Sequence, residues 1–206
     1  WKGIETPFTM IELQTALKTC NPNKSPGQDG AGYALYIEMP EVHSILLDAY
    51  NSVWSEQESI PDDWLKATII TLYKGKGDLK DIANRRPLTL LNCDYKLLAK
   101  MIAARLQKVL TVIISSAQNG FVKGRKIHDN IFLLAEVLRA AMEEDDYPLI
   151  ALLDFTKAFD MIQHDMIEHT LQHIRCPQRV INFLMTILRD RIACILVNGF
   201  ISEEFN

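Results

Sequence analysis

The sequence predicts an α+β fold, and three observations carry that expectation. Apolar residues recur at helical spacing in six segments, short β-branched runs lie between them, and an Asn198-Gly199 pair sits after an apolar run as a hairpin turn. With 206 residues, 48% of them apolar and 23% charged, the chain is long enough to bury a core as one domain or two packed subdomains.

Thr9 and Glu12 form a capping-box pattern that opens a helix running to about Cys20. Residues 21–30, NPNKSPGQDG, read as a loop, with Pro and Gly at turn positions. A second helix is expected over 41–56. After Pro61 a strand is expected over 67–73, then a glycine-containing basic turn from Lys74 to Asp78, and a returning strand over 87–91. Residues 94–112 place Leu97, Leu98, Met101, Ile102, Leu106 and Val109 on one helical stripe, with Lys96, Lys100 and Arg105 off it. Another amphipathic helix is expected over 131–142. Residues 149–154 are short, nearly all apolar and end in an acid, the pattern of a buried strand. Helices over 165–174 and 178–189 follow, then a strand over 193–197 and its return after the Asn198-Gly199 turn.

Net charge is −4, yet residues 64–126 hold thirteen basic and three acidic residues, a local charge of +10 against −14 elsewhere. A polyanion would meet a basic middle section between acidic ends, although solvated helix faces give similar counts. No apolar run approaches the length needed to cross a bilayer, so no membrane partner is expected. There is no secretory leader, and the start at Trp1 rather than Met suggests an excised segment. The four cysteines are scattered without a C-x-x-C pair, which indicates neither a zinc site nor a disulfide framework. His169 and His173 share a helix face near His164, but no third ligand stands at a suitable spacing.

Chemistry concentrates in Leu153-Asp154-Phe155-Thr156-Lys157-Ala158-Phe159-Asp160. An acid ending an apolar strand presents a carboxylate at a sheet rim, where it can serve Mg²⁺, a cation that takes hard oxygen ligands and substrate phosphates. Taken alone, such an Asp is more often a cap or turn residue. A phosphatase using Asp154 as nucleophile would want a second acid two residues on, where Thr156 stands.

LLDFTKAFD resembles the first catalytic motif, D-x-x-x-A-[FY]-D, of the reverse transcriptases of non-LTR (LINE-like) retrotransposons. Trp64…Ala67-Thr68-Ile69-Ile70-Thr71-Leu72-Tyr73-Lys74-Gly75-Lys76-Gly77-Asp78 and Asn84-Arg85-Arg86-Pro87-Leu88-Thr89-Leu90-Leu91-Asn92 are similar to that family's fingers motifs. Asn23-Lys24-Ser25-Pro26-Gly27-Gln28-Asp29-Gly30 and Gln118-Asn119-Gly120-Phe121-Val122-Lys123-Gly124-Arg125 resemble its N-K-S-P-G-x-D-G and Q-x-G-F-x-x-G-R stretches. The resemblance runs from about Thr9 to Val197. It implies right-hand polymerase fingers with part of the palm: a helical extension over 1–60, fingers over 61–147 and partial palm over 148–206.

The implied activity is RNA-directed DNA synthesis by two-metal phosphoryl transfer on an RNA template and DNA primer, with dNTP as substrate and Mg²⁺ as cofactor. Asp154 would be the catalytic metal ligand, helped by the backbone of Phe155, which also borders the nucleotide. Phe159 would gate the sugar against a ribose 2′-OH. Lys74 and Arg86 would grip the triphosphate; the family's usual Tyr is Arg85 here, and Arg86 is preferred because it directly precedes Pro87. Lys24, Gln118, Gly120 and Arg125 would contact nucleic acid, and Lys96 and Arg105 could reach phosphates. The family's aromatic-x-Asp-Asp pair does not occur before Asn206, so the polypeptide alone is expected to be inactive; the alternative is a catalytically dead module that binds RNA or protein as a scaffold. An intracellular, nuclear setting follows from the family alone, and the sequence leaves oligomeric state open.

Overall fold

The computed structural model describes residues 1–56, 58–143, 149–155, 158–159 and 161–206. Two compact units are present: Trp1–Ala103 with Cys176–Asn206, and Ala104–Arg175. Their boundaries fall elsewhere than the segment boundaries expected near 60 and 147, the second of which lies outside the described residues.

In the first unit, helix α1 (Met10–Lys18) opens on the expected capping box. The Glu12 amide donates to Thr9 Oγ1 at 3.3 Å and the Thr9 amide to Glu12 Oε2 at 2.9 Å, satisfying two of the donors a helix start leaves orphaned. Leu13, Ala16 and Leu17 turn inward at helical spacing. A short helix α2 (Tyr33–Glu38), absent from the sequence expectation, leads into α3 (Val42–Trp54). His43 Nε2 lies 2.6 Å from the Tyr36 carbonyl and ties the two together. The Asn51 side chain takes the Phe8 amide at 2.6 Å and donates to the Phe8 carbonyl at 3.1 Å, fixing the N-terminal segment to α3. Phe8, Trp54 and Phe183 then pack in series, tilted and edge-to-face, each pair 5.1 Å apart between ring centroids. Phe183 belongs to α8 (Gln178–Arg189), whose bounds match the sequence expectation and which buries Val180, Ile181, Phe183, Met185 and Ile187. Truncating a ring buried like Trp54 to Ala costs about 3–5 kcal/mol.

Helix α4 (Asp62–Leu65) delivers the chain into β1 (Lys66–Tyr73), which pairs antiparallel with β2 (Arg85–Leu90) as expected. The sheet order is β2-β1-β3-β4, with β3 (Ile192–Val197) parallel to β1 and β4 (Phe200–Ile201) returning after the Asn198-Gly199 turn. β2 is an edge strand, which is why it tolerates Pro87, a residue with no N–H to give to a ladder.

Helix α5 (Cys93–Ile113) starts in the first unit with Leu97, Leu98 and Met101 fully buried. Its first turn is locked by Asp94. The Trp64 indole donates to Asp94 Oδ2 at 2.8 Å, the Tyr95 amide to Oδ1 at 2.6 Å, and the Tyr50 hydroxyl to the Asp94 carbonyl at 2.6 Å. Burial pushes the Asp94 carboxyl up, partly offset by the Trp64 and Tyr95 donors.

The second unit holds the C-terminal half of α5, α6 (Ile127–Glu143) and α7 (His164–His173). Here one expectation fails. Residues 149–154 form no strand, and Leu149, Leu152 and Leu153 are 96%, 89% and 87% exposed. A strand exists only where a neighbour supplies a hydrogen-bonding ladder. All four named strands lie in the first unit, and among the described residues the second offers none.

Candidate nucleotide and nucleic-acid interface

Strand alternation decides how the basic hairpin presents its charges. Leu72 pairs with Arg86 and Tyr73 with Arg85, so the two arginines leave opposite faces. On one face, Arg85 is half-buried, with Nε donating to the Leu79 carbonyl at 3.3 Å and Nη1 to Thr71 Oγ1 at 3.2 Å. Arg86 is exposed on the other, and its side chain has no hydrogen bond or ion pair among the described residues. Lys74 follows Leu72 by two positions and falls on the Arg86 face, because its amide donates to the Asn84 carbonyl at 2.9 Å and carries the ladder one step past β1. Its Nζ donates to the Ala83 carbonyl at 2.7 Å.

The tip is built rather than loose. Asn84 donates to the Asp78 carbonyl at 3.0 Å, the Tyr73 hydroxyl to the Gly77 carbonyl at 2.7 Å, and the Ala83 amide to Asp81 Oδ1 at 2.9 Å. Gly77 has φ +80°, and a Cβ there would meet the Asn84 side chain at 2.5–2.8 Å, so only glycine fits. Lys76 and Lys80 stand exposed beside it.

The NKSPGQDG loop is held against the end of β2 and the start of α5. A Cβ on Gly27 would fall 2.0 Å from Asn92 Oδ1 and 2.4 Å from the Asn92 amide, so the two backbones touch. Asn92, 5% exposed, also donates to the Asp63 carbonyl at 3.1 Å, and Gln28 donates to Cys194 Sγ at 3.3 Å. Lys96 reaches back to the Ser25 carbonyl at 3.1 Å and lies over the Tyr33 ring, so this cation is engaged within the protein. Lys24 is exposed at the loop surface.

In the second unit, the stretch from Gln118 to Arg125 folds back on α5. Arg125 donates to the carbonyls of Ser115, Gln118 (2.7 Å), Ile114 (3.0 Å) and Thr111 (3.4 Å), so its fork closes the helix C-terminus. This cation, expected at nucleic acid, is thus largely occupied by backbone. Arg105 is 7% exposed and offers no surface charge to a phosphate, contrary to its reading as an off-stripe helix cation. Gln118 and Gly120 are exposed, the Gln118 amide donating to the Gly120 carbonyl at 3.2 Å. Gln107 grips the loop twice, donating to the Phe121 carbonyl at 3.1 Å and accepting from the Lys123 amide at 3.2 Å. The Phe121 ring stands edge-to-face on Phe159, with centroids 5.7 Å apart and planes at 87°.

Asp154 and Phe155 are exposed, and Phe159 is 76% exposed. Thr156, Lys157 and Asp160, like Asp145 and Asp146, lie outside the described residues. A solvent-open carboxylate with the next backbone carbonyl is the hard-oxygen set that suits Mg²⁺, which keeps several waters of its own. Among the described residues no three His, Cys, Asp or Glu side chains converge as a metal cluster, and His164, His169 and His173 form none. The sequence reading missed Gln107, which looks like an ordinary polar helix position and is marked only by its two-sided backbone contacts; Asn92 was read only as the end of a fingers motif, without its packing role.

Comparison with known proteins supplies the context. The family model "Reverse transcriptase (RNA-dependent DNA polymerase)" matches residues 74–203. The chain is 34% identical over 200 residues to the "Transposon TX1 uncharacterized 149 kDa protein" of Xenopus laevis, covering 95% of this chain and 15% of that protein. It is 28% identical to the "Probable RNA-directed DNA polymerase from transposon BS" of Drosophila melanogaster, covering 90% of this chain and 20% of that protein. It is 27% identical to the "Retrovirus-related Pol polyprotein from type-1 retrotransposable element R2" of Popillia japonica, covering 93% and 26%. The chain therefore spans between about a seventh and a quarter of these relatives, across a stretch that includes the hairpin tip, the Arg125 loop and Asp154. With its mixed sheet and non-LTR element relatives, the chain belongs to the reverse transcriptase (RNA-dependent DNA polymerase) family.

Proposed function

We propose that this chain supplies the fingers and first palm segment of an RNA-directed DNA polymerase that extends a DNA primer on an RNA template. The observation that carries the reading is the hairpin, where Lys74 and Arg86 share one exposed face while Arg85 is tied to Thr71 and Leu79. A planar guanidinium with free donors can take two phosphate oxygens at once, and a neighbouring ammonium adds a mobile point charge. Arg86 is accordingly the triphosphate ligand and Arg85 the residue that stiffens the strand beneath it.

Asp154 and the carbonyl of Phe155 would hold magnesium, the ion that reverse transcriptases generally use. When bound, it supplies charge stabilisation at the attacking and leaving oxygens of the transfer. The chain's own residues bind and orient: the hairpin neutralises phosphate charge, Phe155 borders the nucleotide, and Phe159 sets an aromatic wall under the sugar that a 2′-OH would strike. Lys24, Gln118 and Gly120 are open to a nucleic-acid backbone.

Two assays test this reading. Binding of an RNA–DNA duplex should weaken steeply with salt, and Lys74→Ala with Arg86→Ala should lower the log–log salt slope by about 1 to 2, the change for two lost phosphate contacts. A flat salt response, or an unchanged slope in the double variant, removes the nucleic-acid role of the hairpin. The chain alone should not extend a primer, since it carries only the first of the family's catalytic acidic motifs. Extension by the purified chain, abolished in Asp154→Asn, would overturn that expectation.

A further inference from the structure

We propose that Phe121 is a positioning residue for Phe159, and that sugar discrimination depends on the pair rather than on Phe159 alone. This rests on the reading of Phe159 as the sugar gate and adds a residue from another part of the chain.

Three observations converge on Phe121. Phe121 is 86% exposed, at the phenylalanine position of the Q-x-G-F-x-x-G-R stretch. Its backbone has φ +59°, a left-handed conformation that L residues rarely adopt and that persists only where the surroundings over-determine it. The surroundings do so. Gln107 holds the Phe121 carbonyl on one side and the Lys123 amide on the other, Val122 is 6% exposed and anchors the loop, and Arg125 ties its far end to α5. A backbone held in this way fixes the direction in which the side chain leaves the loop, and contact with a second ring then selects its rotamer. That second ring is Phe159, met edge-to-face at 5.7 Å and 87°, the geometry that sets a positive ring edge on a negative ring face.

An exposed aromatic standing alone would sample several rotamers. A gate that excludes one hydroxyl must hold its ring to within a fraction of an ångström, because a small displacement opens the space the hydroxyl needs. Phe121 supplies the second surface that restricts Phe159. The aromatic edge is therefore the feature to remove.

The test uses the complete reverse transcriptase that contains this segment, with primer extension from deoxynucleotides and ribonucleotides compared in Phe159→Ala, Phe121→Ala and Phe121→Tyr. Phe159→Ala should admit ribonucleotides. Phe121→Ala should raise the ribonucleotide to deoxynucleotide ratio of kcat/KM by about two- to tenfold, the equivalent of one aromatic pair, mainly through a lower KM for the ribonucleotide. Phe121→Tyr, which keeps the ring, should restore discrimination. If Phe159→Ala relaxes selection and Phe121→Ala does not, the positioning role is wrong while the gate stands. If Phe159→Ala leaves selection unchanged, the gate reading itself falls and takes this inference with it. A uniform loss with both nucleotide classes in Phe121→Ala would mark a merely structural residue. In this chain, ring-labelled phenylalanine NMR reads the contact directly: Phe121→Ala should abolish a ring-current shift at Phe159, and an unmoved Phe159 resonance overturns the pairing.

Discussion

Arg125 and Asp94 are both charged groups whose partners are largely backbone and neighbouring side chains, and each sets a measurable property. Arg125 ties the end of α5 to the loop that follows it by donating to four carbonyls, from Thr111 to Gln118. Arg125→Met keeps the stem and removes the fork, so it should cost about 1.5–3 kcal/mol, the range for hydrogen bonds to a charged group, visible as a lower melting temperature by circular dichroism. Lys at this position cannot span four carbonyls and should recover less than half of the loss. Asp94 makes a prediction in pH. Burial raises its folded value above the ordinary 3.8, so the protonated form favours folding. That contribution is complete below 3.8 and disappears as pH climbs through the raised value. Asp94→Asn cannot titrate, so urea midpoints of the natural chain should fall relative to those of the variant as pH rises above 3.8; parallel profiles would contradict the assignment.

At the scale of elements, local pattern and long-range pairing behave differently. The capping box of α1, the bounds of α8, the β1–β2 hairpin and the Asn198-Gly199 turn were legible because each is written in neighbouring residues. The strand expected over 149–154 was not realised, because an apolar run states a preference for burial and says nothing of who pairs with it. The same limit applies to the site. Motif spacing pointed to Lys74, Arg86 and Asp154, but that Arg85 and Arg86 leave opposite faces of the hairpin is visible only in the strand register. Arg85→Ala should accordingly reduce thermal stability of the hairpin with a small effect on duplex affinity, and Arg86→Ala the reverse, by calorimetry and filter binding on the same proteins. The NKSPGQDG loop gives a harsher test. Gly27→Ala drives a methyl into the Asn92 backbone and should cost at least about 1–3 kcal/mol, read from chemical denaturation.

At the scale of the whole molecule, the four thiols all fall in the first unit and report how tightly it closes. Burial pushes Cys176 up to about 11, with Glu5 adding to it, and raises Cys93 as well. Cys194 is 3% exposed, and Cys20 is half-buried. Brief treatment with iodoacetamide at pH 8 followed by peptide mapping should label Cys20 first, with the other three reacting only as the chain opens. Early labelling of Cys194 would show that the sheet is not formed as described.

The parallel neighbour of β1 carries a consequence for biosynthesis. Thr68 and Cys194 are 126 positions apart, so at ribosomal speeds of about 5–20 residues per second one side of β1 waits roughly 6–25 s for its partner after it has emerged. During that interval β2 is already available to it, while the opposite row of amides and carbonyls is open to any extended peptide nearby. A nascent chain stalled before residue 192 should therefore recruit holdase chaperones, and release them once β3 clears the exit tunnel.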